Sequence, residues 1–292
     1  MAARLRVGLV TYGLDRPLSG VTRFALGLGE ELARLDRCDV VYLTTYRHGH
    51  FSHGRHTAWQ LRGCSRLPAL LLLGGVQVAL AAACLGLDVV HDPIGVSPFT
   101  LGRWAGGFKR LTTIHDTIAF RFPQGYPWLN NFLHRCFVPA TLRNVDGVTT
   151  VSQDARQDIA RFLKVPVERV HVVPGAVGAA FRPHTAEESA PVRARYGLAG
   201  PYILSVGAQK EHKNIPALLR AFAQARSALG ECRLVITGPT QWASPSLAGL
   251  TADLGLADAV SSLGYVSEED LPALYAGCLL YTSPSPRDRQ KS

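Results

Sequence analysis

Lys210, His212, Lys213 and Asn214 crowd a short polar turn between a β-rich run ending at Gly207 and an amphipathic segment that continues to Leu219. Such a turn suits phosphate. The strand delivers it to the edge of a sheet, and Gly207 lets the backbone come close to a ligand. The helix after the turn points its free N–H groups and the positive end of its dipole at an anion. Lys213 adds a full charge on a mobile stem. An ordinary βα turn with solvated lysines is the competing reading of this stretch. His115 ends an apolar run and Asp116 comes next, so both project at the carboxyl edge of a sheet, where open α/β folds bind ligands. A strand-end histidine bonded to its own loop is the plainer alternative there. His48, His50, His53 and His56 share one polar segment and could hold a transition metal, but no carboxylate or cysteine joins them at a recognisable spacing. A solvated loop is the better account of them. Ser152, opening a helix after a strand, reads as an N-cap.

The elements that must position these residues alternate between short β-rich runs and helical patterns, the signature of parallel sheets covered on both faces. Arg6 to Thr11 is the first predicted strand, Gly13 to Gly20 a loop, and Val21 to Leu35 a helix with Phe24, Leu28, Leu32 and Leu35 at helical spacing. Further strands are expected over 39–44, 88–91, 111–115, 147–151 and 170–173. Turn formers crowd Pro174 to Gly200 and mark a crossing region. A second α/β unit opens at Tyr202, with a helix over 215–229, strands over 233–238 and 260–263, and a capping-box pattern at Ser267-Glu268-Glu269-Asp270 before Leu271.

At 292 residues, 47% hydrophobic and 18% charged, the chain is long and apolar enough for two packed domains. A formal charge of +9 favours an anionic partner, either a phosphorylated substrate or an anionic lipid surface; no RNA-recognition, zinc-finger or helix-turn-helix pattern supports nucleic acid. The six cysteines, Cys38, Cys64, Cys84, Cys136, Cys232 and Cys278, are scattered without a CxxC pair, as in a reducing compartment. The start carries no signal-peptide pattern. Leu67 to Leu87 contains no charged residue and approaches bilayer-spanning length, but Pro68 and Gly74-Gly75 interrupt it, and its place inside the βα alternation favours a buried helix, with a membrane-facing portion left open.

The strand, Gly207, charged turn, Lys213-Asn214 and apolar helix together resemble the donor-phosphate motif of family-four retaining glycosyltransferases, which have the GT-B fold. Three further segments agree in the expected order: Ser19-Gly20-Val21-Thr22-Arg23-Phe24, similar to the N-terminal glycine loop; Thr113-Ile114-His115-Asp116 with Phe120-Arg121-Phe122-Pro123, similar to the acceptor-side turn; and Val173-Pro174-Gly175-Ala176-Val177, similar to the exit from the first domain. The resemblance implies α/β architecture with two Rossmann-like doubly wound domains facing a cleft: an acceptor-side domain over 1–183, a linker over 184–200 and a nucleotide-sugar-binding domain over 201–277. It implies catalytic roles for His115, Asp116 and Lys213. Donor binding falls to Gly20, Arg23, Gly207, Lys210, Asn214 and Gly238, with Trp242 on a loop near the nucleotide. Many relatives carry Arg directly after the motif glycine, where this chain has Ala208, so Lys210 stands in or phosphate is held less firmly.

The same resemblance implies sugar transfer from a nucleotide-diphosphate donor to a sugar or lipid-linked hydroxyl, with no metal or other cofactor, in the cytoplasm. A peripheral contact with the anionic inner membrane face is left open. The family's pair of glutamates about seven residues apart is expected after Leu271–Ala276 and has no match there. Instead Cys278 to Ser292, rich in Ser and Pro, resembles a translated sequencing adapter. The second domain is therefore expected to be incomplete, residues 278–292 to stand outside the fold, this chain to be inactive, and the apolar face at Leu271, Leu274 and Tyr275 to be left exposed. Two rivals remain. A nicotinamide-dependent oxidoreductase needs G-x-G-x-x-G after the first strand, which Gly13-Leu14-Asp15-Arg16-Pro17-Leu18-Ser19-Gly20 does not supply. A non-catalytic sugar-nucleotide or membrane-surface binding protein shares the same motifs.

Overall fold

The computed structural model describes residues 4–12, 14, 20–46, 57–95, 98–103, 106–121, 123, 128–207, 209, 213–238 and 247–282. Ser19, the four clustered histidines, Phe122, Ala208, Lys210, His212 and Trp242 lie outside the described residues. The chain divides into two compact units, the first ending at Ala176 and the second beginning at Val177.

The first unit is a seven-stranded sheet in the order β3-β2-β1-β4-β5-β6-β7. Its strands are β1 (Leu5–Val10), β2 (Cys38–Thr44), β3 (Thr57–Gln60), β4 (Val89–Asp92), β5 (Lys109–Thr113), β6 (Gly147–Thr150) and β7 (Val170–Val172). Every neighbouring pair is parallel. The helices are α1 (Gly20–Arg34), α2 (Leu67–Leu85, with a π turn over Leu70–Gly74), α3 (Ile118–Arg121), α4 (Trp128–Asn144) and α5 (Gln153–Leu163). Burial on both sheet faces explains the nearly continuous apolar strands. Alternate residues serve alternate faces: Val7, Leu9, Val40 and Tyr42 pack toward Ala25 of α1, while Val10, Val41 and Leu43 join Leu70, Val78 and Ala81 of α2. The order reverses between β1 and β4, which makes their carboxyl ends the crevice of this sheet.

The second unit has a four-stranded parallel sheet in the order β10-β9-β8-β11. In chain order it comprises α6 (Ala186–Arg195), β8 (Tyr202–Val206), α7 (Ile215–Leu229), β9 (Arg233–Thr237), α8 (Leu247–Asp253), β10 (Val260–Gly264), α9 (Leu271–Ala276) and β11 (Leu280–Thr282). Tyr202, Leu204 and Val235 pack with α9 on one face; Leu234 and Ile236 pack with Ile215, Leu219 and Phe222 of α7 on the other.

Several expectations change. The first domain ends before Pro183, because residues from Val177 on pack with the second unit: the Phe181 ring lies 5.6 Å from that of Tyr275. The linker expected over 184–200 holds α6, started by a complete Thr185–Glu188 capping box that outweighs Pro191 within the helix. Residues 278–282 take part in the fold, since Leu280, Tyr281 and Thr282 pair with Ile203, Leu204 and Ser205 of β8, and the Leu279 N–H donates to the Tyr202 carbonyl at 2.9 Å. Leu271 and Leu274 are buried rather than exposed. The sequence capping box at Ser267 forms only in part. Ser267 Oγ accepts from the Asp270 N–H, while Asp270 turns to Arg195 (2.7 Å) and the Tyr196 hydroxyl (2.9 Å), tying α9 to α6. Helix α2 is half-buried, not wholly buried: Leu70, Leu71, Val78 and Ala82 face the core, whereas Leu72, Leu73, Val76 and Leu80 are exposed.

Candidate active site

In the second unit the sequence motif is assembled at the carboxyl ends of β8 and β9. Gly207, immediately after β8, has φ +134°, a conformation costly for any side chain, and its N–H donates to the Thr237 carbonyl of β9. A Cβ placed there would lie 3.9 Å from Cε of Lys213, so the lysine stem runs over the glycine. Asn214 adopts the left-handed conformation (φ 51°) and opens α7, with Pro216 in the first turn, where a missing N–H costs no helical bond. The Asn214 side chain makes no capping bond. Gly238 comes directly after β9, donates its N–H to the Gly264 carbonyl and accepts from Nε2 of the buried Gln209 at 3.3 Å. Gly207, Lys213, Asn214 and Gly238 therefore meet at one sheet edge, at the start of a helix of 15 residues whose Ala217 and Leu218 N–H groups donate to the Asn214 carbonyl. Lys210 falls outside the described residues.

In the first unit Gly20 begins α1, and a Cβ added there would meet nothing within 4 Å among the described residues. Arg23, one turn on, is exposed. Phe24 sets its ring edge-on to His115 at 5.0 Å, which brings the start of α1 to the end of β5. Gly175 also packs beside Phe24. His115 Nε2 lies 2.8 Å from the Pro93 carbonyl. A carbonyl only accepts, so Nε2 carries the hydrogen, and burial lowers the ring's pKa, leaving a neutral imidazole with an acceptor at Nδ1. Asp116 is exposed, and its Oδ1 accepts from the Ile118 N–H at 2.9 Å, starting α3. Ser152 caps α5 through the Ala155 N–H, as its position predicts.

Sequence reasoning passed over the layer beneath His115. Asp92 ends β4, fully buried, and its carboxylate accepts from the Ile94 N–H (3.1 Å), the Gly95 N–H (2.9 Å) and the Thr112 hydroxyl (3.0 Å). Burial pushes its pKa up to about 6 against those hydrogen bonds. His91 bonds Thr113 Oγ1 at 2.8 Å; burial, then the neighbouring His115, lower its pKa to about 4. A signal was present: His91-Asp92 repeats, on the adjacent strand, the order of His115-Asp116. Among the described residues no three His, Cys, Asp or Glu side chains form a metal cluster, and the clustered histidines lie outside those residues.

Residues 18–180 match Glycosyltransferase Family 4, more than half of the chain, and residues 193–288 match Glycosyl transferases group 1. The chain belongs to Glycosyltransferase Family 4. It is a transferase enzyme of that family. O-antigen chain mannosyltransferase B of Escherichia coli is 27% identical over 305 residues, covering 96% of this chain and 76% of that protein. Alpha-D-kanosaminyltransferase of Streptomyces kanamyceticus is 30% identical over 146 residues, 49% of this chain and 38% of its own length. Among solved structures, sucrose-phosphate synthase from Thermosynechococcus elongatus superposes with a TM-score of 0.71 at 20% identity, covering 97% of this chain and 76% of that one. Anabaena HepE in complex with UDP and glucose also gives 0.71, at 16% identity, covering 98% and 77%. The fold is GT-B.

Proposed function

We propose that this family-four enzyme transfers a sugar from a nucleoside-diphosphate donor to a hydroxyl of a glycan or lipid-linked acceptor, with retention of configuration at the sugar. The observation that carries this reading is the convergence of Gly207, Lys213, Asn214 and Gly238 at the carboxyl ends of β8 and β9. The positive end of the α7 dipole and the Lys213 ammonium at one helix start suit a diphosphate whose charge grows as the bond to the sugar breaks. The mannosyltransferase names of the relatives and the UDP and glucose bound in HepE support the same substrate class.

In this reading Lys213, with Lys210, neutralises the leaving diphosphate, and Gly20 and Arg23 offer a second anion contact from the start of α1. His115 serves the transferred sugar and the acceptor, with its neutral ring accepting a hydrogen bond from a hydroxyl at Nδ1. Asp116 keeps that turn in place. The leaving phosphate oxygen takes the acceptor proton on the same face of the sugar, which gives retention without an enzyme nucleophile. Cationic side chains and helix N-termini replace a metal. The enzyme works on the cytoplasmic side, and the exposed Leu72, Leu73, Val76 and Leu80 of α2, with exposed Arg62 and Arg66 ahead of them, make a peripheral contact with anionic membrane.

Lys213→Ala tests the central claim, and turnover by the wild-type chain would at the same time overturn the expectation that it is inactive. Release of nucleoside diphosphate from UDP-glucose or GDP-mannose should fall about 100-fold, while urea unfolding shifts by less than about 0.5 kcal/mol. Equal turnover in wild type and variant would remove Lys213 from the site.

A further inference from the structure

The carboxylate of Asp92 is one of the most enclosed polar groups in the first unit, and neither the family match nor the proposed reaction uses it. It is fully buried at the end of β4, beside the point where the strand order reverses. Its three donors are not spread over the fold. Two are the successive backbone N–H groups of Ile94 and Gly95, and the third is the Thr112 hydroxyl of β5. Together they fold the chain leaving β4 into a tight turn and pin it to the neighbouring strand. Pro93 sits inside that turn, and its carbonyl receives the His115 Nε2–H at 2.8 Å. The turn touches the His115 segment a second time: Gly95 has φ +90°, and a Cβ there would fall 2.7 Å from Ile114 Cδ1, directly before His115.

We propose that Asp92 is a positioning residue, which holds the Pro93 carbonyl where it fixes the tautomer and plane of the His115 ring. This rests on the reading that His115 meets the transferring sugar. Asp92 touches no substrate itself. A carbonyl displaced by even about half an ångström weakens the bond to Nε2–H and frees the ring to exchange tautomers, and misplacement of a reacting group on this scale lowers turnover without lowering affinity for the nucleotide.

The test uses the full 292-residue chain labelled with nitrogen-15 at histidine. In the wild type at pH 7.5 the His115 ring, assigned by its loss in His115→Ala, should show one protonated nitrogen, Nε2, and one bare nitrogen, Nδ1. Asp92→Asn keeps the shape but sets an NH2 group against at least one of the three donors. The His115 signals should then move toward averaged tautomers, and kcat for nucleoside-diphosphate release from UDP-glucose or GDP-mannose should fall between about 10-fold and 100-fold with UDP affinity unchanged. Thr112→Val, which removes one of the three bonds without adding a donor, should move the same signals in the same direction by less, and it carries the test if Asp92→Asn does not fold. Unaltered His115 ring signals in the folded variants would overturn the proposal whatever happens to turnover. Full turnover by His115→Ala would instead overturn the role given to His115 in the reaction, while the ring signals still decide what Asp92 does.

Discussion

At the scale of single residues, the site combines exposed groups such as Arg23 and Asp116 with buried ones such as His91 and Asp92. His91 and Asp92 are adjacent, both enclosed, and titrate in opposite senses. His91 has its pKa lowered from 6.5 to about 4, so the native state binds fewer protons than the unfolded chain across that interval, and stability is lost as pH falls from 6.5 toward 4. Asp92 has its pKa raised from 3.8 to about 6, so its contribution is present at low pH and lost as pH rises through 6. In the wild type the two slopes largely offset between about pH 4 and 6. His91→Gln removes one of them. Urea unfolding should then show the variant gaining on the wild type by about 2 kcal/mol between pH 7 and pH 4.5; parallel pH profiles would mean that His91 titrates near its ordinary value. Asp116 belongs to a different category, since its Oδ1 caps the start of α3. Asp116→Ala should cost about 1 kcal/mol, whereas Asp116→Asn, which keeps the acceptor, should unfold like the wild type.

At the scale of elements, the position of α1 decides whether the starts of that helix and of α3 can share a site. The helix lies on β2 through Gly29, where an added Cβ would fall against the Tyr42 hydroxyl and 2.9 Å from Cζ of its ring. Tyr42 is buried and cannot swing away without disturbing Val7, Leu9 and Ala25. Gly29→Ala should therefore destabilise the protein by about 1 to 3 kcal/mol in spite of alanine's better helix propensity. Because the hydroxyl is the nearest atom, adding Tyr42→Phe should restore part of the loss. Equal melting temperatures for wild type and Gly29→Ala would show that α1 sits farther from β2 than described. In the second unit α9 plays the matching part, anchored by the Asp270 bonds to Arg195 and Tyr196 rather than by a closed capping box.

At the scale of the molecule, the charge of +9 and the outward leucines of α2 belong together. Leu72, Leu73, Val76 and Leu80 all replaced by Ser should leave the fold intact, because none of them is buried, and should abolish sedimentation with phosphatidylglycerol vesicles; wild-type binding should weaken with salt. Retention of the variant on vesicles would assign the contact to another surface. How far this molecule could be read in advance depends on the range of each interaction. Local patterns are written in neighbouring residues, so the strand before Gly207, the helix after Asn214, the α5 cap at Ser152 and the first helix near Gly20 were all legible, and with them the family. Period alone, however, could not say which face of α2 would be covered, since every residue from Leu67 to Leu85 lacks a charge. Nor could composition foresee that Leu280–Thr282 would add a strand to β8, a long-range pairing with Ile203–Ser205 that depends on an unoccupied sheet edge. Asp92 shows the same limit most sharply. The sequence by itself determined the alternating α/β pattern and the residues that end its strands, because those are properties of nearest neighbours; only the tertiary structure decided that a carboxylate closing one strand would hold the carbonyl that holds a histidine closing the next.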